Sequence, residues 1–423
     1  MKKILPFSFV FQFLLAAVLL AANYSFYGET DKNPLEYQPG EEMTFKIQLL
    51  RDGQPVDGVI FTWRRTGDDG ITESGETVSN ASEPFLVKTS LKVPGFVYVF
   101  CQAIGEDGKP LKREPEPQYC KNVVFYGGAG VLMDQIKSAP EPEGFDAYLD
   151  GQKARLAEIP IELLEKVPVE SGDPDVLCWD VKIRCIGKPT SGYLCMPRDA
   201  KEKSLPAEVS FHGYGCNSAN KPVGFGKKGI ALNINIHGIL NGQPQEYYTN
   251  LFQGELRGFG FNKEENQKTE TSYLNGIILR ALRAVQFVKT LPEWDGKNLK
   301  VSGGSGGAFQ SLSVAGLDHD VTECYANVAW CLDLSGPTKM NRLTGWRPEW
   351  TEALEFLDPA NHAKRIQCPV TMDAGLGDYV CPPSGQVVVF NNLSVPKKLT
   401  FHQGNTHGYG MPNGKAYTME GGK

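Results

Sequence analysis

The chain has 423 residues, 41% of them hydrophobic and 22% charged, an ordinary globular balance that fills a sizeable core over two or three domains. With a formal charge of -6 and a pI of about 5.7, it carries no basic field to hold nucleic acid or an anionic membrane surface. Nucleic-acid binding is excluded on that ground.

At the N-terminus, Lys2 and Lys3 precede an apolar run from Ile4 to Ala22, interrupted only by Pro6, Ser8 and Gln12. Small residues close it at Ala21, Ala22 and Ser25. This reads as a signal peptide over residues 1–25, cleaved on export, rather than a membrane anchor. The mature chain is then expected to be secreted or periplasmic, with no membrane insertion. Ten cysteines are compatible with disulfides in such a compartment, but their spacing fits no zinc pattern and fixes no connectivity.

From residue 26 to 138 short alternating apolar runs predominate, such as Met43 to Leu49, Val59 to Trp63 and Gly95 to Phe100. Turn signals including Arg51-Asp52-Gly53 and Gly105-Glu106-Asp107-Gly108 separate them. Strands at this spacing without helical periodicity predict an antiparallel β-sandwich of immunoglobulin type, in the role of a scaffold or lid-forming partner. The Pro-rich stretch Ala139-Pro140-Glu141-Pro142-Glu143-Gly144 marks a boundary, and residues 139–423 form the second domain.

That domain opens with an amphipathic helix over Phe145 to Ile159, whose apolar set is Phe145, Tyr148, Leu149 and Leu156. A hairpin follows over Val176 to Cys185 and Gly192 to Pro197, then buried-type strands at Ala207 to Phe211 and Gly229 to Ile236. A long helix is predicted from Thr271 to Thr290, stopped by Pro292. Next come a strand at Asn298 to Ser302, a helix at Gly306 to Leu317, strands at Ala326 to Leu332 and Val370 to Ala374, and a last one near Leu399 to Phe401. Strands alternating with helices imply right-handed crossovers and a mostly parallel sheet, an α/β class.

The sharpest local signal is Gly303-Gly304-Ser305-Gly306-Gly307, a G-x-S-x-G between a strand and a helix. A serine on that sharp turn is the nucleophile position of an α/β-hydrolase. A hydroxyl is a poor nucleophile near neutral pH and needs a base, which in this fold follows an acid along the chain. His407 is the base the pattern favours, in the loop Gln403-Gly404-Asn405-Thr406-His407-Gly408 past the last strand. His319 directly follows the nucleophile helix, His362 reads as a structural residue at a helix start, and His402 reads as a packed or capping residue. The acid is Asp378, after the strand Val370 to Ala374, with Asp333 as the fallback and Asp373 assigned to the turn. Two oxyanion donors are expected from backbone N–H groups. One is Gly306, after the nucleophile; the other is Tyr214, in Phe211-His212-Gly213-Tyr214-Gly215, where His212 braces the loop.

From Pro142 to the C-terminus these residues resemble the acetyl xylan esterase and cephalosporin C deacetylase family of carbohydrate esterases. The shared segments are Gly144-Phe145-Asp146-Ala147-Tyr148, His212-Gly213-Tyr214-Gly215, Arg257-Gly258, the nucleophile turn, and Gly377-Asp378-Tyr379-Val380-Cys381-Pro382-Pro383. The resemblance implies a triad of Ser305, Asp378 and His407, oxyanion donors at Tyr214 and Gly306, no cofactor or metal, and an acetylated carbohydrate such as xylan as substrate. It has three departures. Phe259, Gly306 and Gly408 stand where the family's R-G-Q, G-x-S-Q-G and H-E motifs carry Gln, Gln and Glu. Two other readings compete: a peptidase of the prolyl oligopeptidase type, and a non-catalytic binding or adhesion protein on a hydrolase scaffold. Trp346, Trp350, Tyr247 and Tyr248 are candidates to line a sugar-stacking pocket.

Overall fold

The computed structural model describes residues 23–117 and 120–422. The expected signal peptide falls largely outside them, and no described helix is long and apolar enough to cross a membrane.

The N-terminal part is a β-sandwich. One antiparallel sheet holds Tyr24–Thr30, Met43–Arg51, Gln54–Pro55 and Phe85–Thr89; the other orders Glu73–Val78, Ile60–Gly67, Gly95–Ala103 and Val124–Val131. Phe26, Phe45, Ile47, Leu49, Phe61, Val97, Val99 and Phe125 fill the space between them. Strand Gly95–Ala103 is buried on both faces. Val97, Val99 and Cys101 point into the sandwich, while the alternate Phe96 and Tyr98 join the core of the second domain, as the period of two demands. Phe96 meets Phe401 of the second domain with ring centroids 5.8 Å apart. Each such buried aromatic contributes about 1.5–3 kcal/mol, so the two parts share a continuous apolar seam.

The second domain is built on ten strands: β1 Leu163–Pro168, β2 Val176–Ile183, β3 Thr190–Pro197, β4 Leu205–Phe211, β5 Ile230–Asn235, β6 Trp294–Gly304, β7 Glu323–Asn327, β8 Val370–Gly375, β9 Lys397–His402 and β10 Ala416–Gly421. Their spatial order is β10-β9-β8-β7-β6-β4-β5-β3-β2-β1. The six from β9 to β5 run parallel, and antiparallel strands extend both edges. The principal helices are α1 Phe145–Ala157, α2 Tyr273–Val288, α3 Gly306–Leu317 and α4 Pro383–Asn392. All twelve residues of α3 are buried, which places the segment after Ser305 in the heart of the domain. Helix α2 presents Leu274, Ile277, Ile278, Ala281, Leu282, Val285 and Val288 to the core, the stripe its 3.6-residue period predicts.

Two expectations are corrected. The apolar run Ala326 to Leu332 is not a strand; β7 ends at Asn327, and Val328, Cys331 and Asp333 take positive φ. The chain there turns tightly over the sheet edge, and its apolar side chains are buried as a loop. A continuous apolar run reports burial without reporting a period. Edge strands β1 and β10 were not anticipated, because β1 is exposed along its whole length and β10 buries none of its residues.

Candidate active site

Strand β6 ends at Gly304 and α3 begins at Gly306, with Ser305 between them at φ 55° and ψ -118°. A non-glycine residue in that region costs about 1–3 kcal/mol and persists only where its surroundings over-determine it. Here they do. The Ser305 N–H donates to the Asn327 carbonyl at 2.9 Å, and the Ser305 carbonyl accepts from Phe309 and Trp330. The flanking glycines are sterically required. A Cβ on Gly303 would stand 2.4 Å from the Gly307 carbonyl carbon, and one on Gly307 would stand 2.2 Å from the Phe211 oxygen.

The Ser305 hydroxyl meets His407 Nε2 at 3.0 Å, and His407 Nδ1 meets Asp378 Oδ2 at 2.9 Å. With the carboxylate accepting, Nδ1 carries the proton and Nε2 is left to accept from the serine. Asp378 is 0% exposed, and its other oxygen accepts the backbone N–H groups of Val380 and Cys381 at 2.9 and 2.8 Å. The buried carboxylate is thus fully engaged and its rotamer fixed. Of the described Asp, Cys, Glu and His residues, Asp378, Cys381 and His407 have donor atoms within 4.8 Å of one another, but Asp378 and His407 are already bound to each other.

Tyr214 and Gly306 come together beside the serine: a Cβ on Gly306 would lie 3.0 Å from the Tyr214 nitrogen. Among the described residues neither backbone N–H donates to a protein acceptor. Both are free for a ligand. The Tyr214 ring stacks on Phe259 at 4.0 Å with an interplanar angle of 10°, and its hydroxyl donates to the Phe259 carbonyl. Phe259, one of the departures from the family motif, therefore holds the loop carrying Tyr214 by stacking. His212 is partly buried, its ring against the Gly213 carbonyl at 2.8 Å.

The other candidates lie elsewhere. Asp333 pairs with Arg342, away from His407. Asp373 accepts from the Tyr325 hydroxyl and faces His402 at 3.6 Å. His362 is buried against the Phe356 carbonyl, and burial pushes its pKa down to about 4. His319 is exposed. Of the four aromatic candidates only Trp346 lines the pocket over Ser305; Tyr248 is buried with its hydroxyl on the Leu240 carbonyl, and Trp350 bonds Glu355.

That pocket is open, about 480 Å³, and also lined by Cys120, Tyr379, Val380, Thr406 and Gly408. Sequence reasoning missed Cys120, which arrives from the sandwich, and no local signal could have placed it there. It also missed His237. This ring is buried and held neutral, its pKa lowered to about 3 by desolvation. Its Nε2 donates to the Gly215 carbonyl at 3.0 Å and its Nδ1 accepts from the Tyr273 hydroxyl at 2.8 Å, which pins the loop carrying Tyr214.

Parallel strands, flanking helices and a strained serine between β6 and α3 define an α/β-hydrolase. The acetyl xylan esterase (AXE1) family model matches residues 132–345 and 348–419. The chain belongs to that family and is a carboxylic-ester hydrolase. The acetyl esterase Axe7A of Xylanibacter ruminicola is 27% identical over 433 residues, covering 96% of this chain and 93% of that protein, an alignment that takes in most of the sandwich. Among solved structures, the acetyl xylan esterase from Paenibacillus sp. R4 aligns with a TM-score of 0.55 at 23% identity, over 65% of this chain and 93% of its own. Acetyl xylan esterase 1 from Thermoanaerobacterium sp. JW/SL YS485 gives a TM-score of 0.53 at 21% identity, over 65% and 92%. These two show a shared fold.

Proposed function

We propose that this protein is an exported serine esterase, secreted or periplasmic, that removes acetyl groups from carbohydrate esters such as acetylated xylan or xylo-oligosaccharides through an acyl-enzyme on Ser305. The observation that carries the reading is the unbroken relay from Asp378 through His407 to the Ser305 hydroxyl.

In this reaction His407 Nε2 takes the Ser305 proton as Oγ bonds to the acetyl carbonyl carbon. The oxygen that becomes negative receives hydrogen bonds from the Tyr214 and Gly306 N–H groups, which have no competing acceptor. The ester C–O bond then breaks, and the sugar oxygen leaves with the proton held on His407. Water, deprotonated by the same nitrogen, attacks acetyl-Ser305; the Oγ–C bond breaks as His407 returns that proton to Oγ, and acetic acid departs and ionises to acetate. Asp378 holds the ring's tautomer through its bond to Nδ1 and faces the positive charge that forms there.

A carbohydrate leaving group is supported by the pocket mouth. Trp346 and Tyr379 are 42% and 52% exposed while lining the pocket with Ser305. Exposed aromatic faces suit the apolar C–H faces of sugar rings, and about 480 Å³ leaves room for a ring beyond the acetyl group. Acetate release from a panel of acetylated xylo-oligosaccharides and other acetylated sugars, beside p-nitrophenyl acetate, tests this. Turnover of the sugar esters is expected, with Tyr379→Ala raising KM for oligosaccharide several-fold and leaving that for the aryl ester nearly unchanged. Cleavage of the aryl acetate with no acetate from any saccharide would overturn the substrate assignment.

A further inference from the structure

The sandwich grips the parts of the second domain that carry the acid and the base. After strand Gly95–Ala103 its chain makes an excursion before returning as Val124–Val131, tied back by bonds from Leu111 to Ala103, Val123 to Leu111 and Arg113 to Lys121. Arg113 and Cys120 in this excursion reach the turn Thr406 to Tyr409, which the Thr406 N–H closes on the Tyr409 carbonyl at 2.7 Å around His407. There the Arg113 guanidinium lies 3.9 Å from the centre of the Tyr409 ring and donates to the Cys120 carbonyl at 3.2 Å. Cys120 in turn lines the pocket. On either side of this turn the sandwich has further holds. Gln403, fully buried, bonds both the N–H and the carbonyl of Gly128 at 3.0 and 2.9 Å, and Met411 is embedded in the sandwich core. The acid is held in the same way: a Cβ on Gly377 would lie 2.1 Å from the Tyr126 oxygen, and the Tyr379 ring stacks on Tyr126 at 4.9 Å.

We propose that the sandwich is a working part of the hydrolytic site, with Arg113 as the positioning residue that sets His407 against Ser305 by clamping Tyr409. This rests on the triad reading above. The physical reason is that His407 sits on a long irregular segment between β9 and β10, which its own domain holds at Asn405 through the Gly377 N–H at 3.0 Å and at the ring through Asp378, while the Arg113 contact holds it beyond the histidine, at Tyr409. A guanidinium over a ring is worth about 0.5–2 kcal/mol, enough to bias a turn between two seatings, and a misplacement near 1 Å costs about a hundredfold in rate.

The test compares Arg113→Ala, Arg113→Lys, Tyr409→Leu and Tyr409→Phe in the full chain. The readouts are kcat and KM on p-nitrophenyl acetate and the rate at which a fluorophosphonate labels Ser305. Arg113→Ala and Tyr409→Leu are expected to lower kcat and the labelling rate together by about tenfold or more, with KM within about twofold. Arg113→Lys and Tyr409→Phe, which keep a cation and a ring face, recover most of the loss, and the double variant Arg113→Ala with Tyr409→Leu loses no more than either single one. Wild-type kcat and labelling in the alanine and leucine variants would overturn the clamp. A wild-type protein that no fluorophosphonate labels would instead remove the Ser305 reading beneath it.

A second inference stands on a separate observation. Cys178 of β2 and Cys195 of β3 are directly opposed in the antiparallel register, with sulfurs 2.7 Å apart. The Cys178 carbonyl accepts from Val169 on the other side, so toward β3 the two form a non-hydrogen-bonded pair. There the Cα atoms approach to about 4.5 Å, inside the range a disulfide spans. We infer that this pair is a disulfide site, closed during folding because both residues are buried afterwards. Thiol–disulfide exchange with an oxidised dithiol or disulfide carrier forms the S–S bond, and the carrier leaves as two thiols. Refolding the chain with oxidised glutathione, then alkylating under denaturing conditions and mapping peptides by mass, reads the outcome. A cross-linked peptide pair two hydrogens lighter than the free thiols is expected; Cys178 and Cys195 both recovered alkylated would overturn the assignment.

Discussion

Ser305→Ala is expected to lower kcat on p-nitrophenyl acetate by about 10⁴- to 10⁶-fold, the range seen when a nucleophile that works as a unit with its base is removed. The loss is catalytic and not structural. Alanine keeps the Cβ at φ 55° and the backbone bonds to Asn327, Phe309 and Trp330, so the turn and the donors at Tyr214 and Gly306 stay in place. The missing oxygen makes one hydrogen bond, to His407. Residual turnover reports what the oxyanion donors and binding supply alone. A thermal melt near that of wild type, with fluorophosphonate labelling abolished, completes the signature. Equal turnover by the two proteins would remove Ser305 from the mechanism.

Asp378→Asn is expected to cost about 10⁴-fold in kcat with little change in stability, through the tautomer of His407. The two backbone donors at Val380 and Cys381 need an acceptor, so the asparagine carbonyl oxygen takes that side and the NH₂ group faces His407 Nδ1. The imidazole must then accept at Nδ1 and carry its proton on Nε2, pointing at Ser305. A base has become a donor. Asp378→Ala loses activity comparably and also leaves two buried N–H groups without partners, at about 1–3 kcal/mol each, so its melting temperature falls where that of the asparagine variant does not. Asp333→Asn is the contrast: Asp333 is paired with Arg342 and lies outside the relay. A near-wild-type kcat for Asp378→Asn would refute the assignment of the acid.

Phe259 and Gly306 show how the family's motifs are altered without loss of the framework. Gly306 admits the close approach of the Tyr214 nitrogen, and only its backbone N–H is needed as a donor. Phe259 replaces a polar side chain by a stacked ring against Tyr214 and an edge contact with His237 at 4.5 Å. At position 408 the missing carboxylate leaves an exposed glycine on the pocket rim, where the sandwich residue Cys120 also stands.

The amino-acid sequence by itself determined the α/β class, the long helix α2 and the serine turn, and it named the three residues that lie within hydrogen-bond distance of one another, because each is written in local terms. Glycines flank a serine where no Cβ fits, apolar residues recur at helical or strand period, and the acid and base follow strands in a set order. Only the tertiary structure decided which aromatic residues reach the pocket, that Ala326 to Leu332 leaves the sheet, that His237 pins the loop carrying Tyr214, and that the sandwich delivers Cys120 and Arg113 to the histidine turn. Those facts depend on contacts between residues as far apart as Gly128 and Gln403. Such contacts leave no period in the chain, since they are set by how two folded surfaces meet.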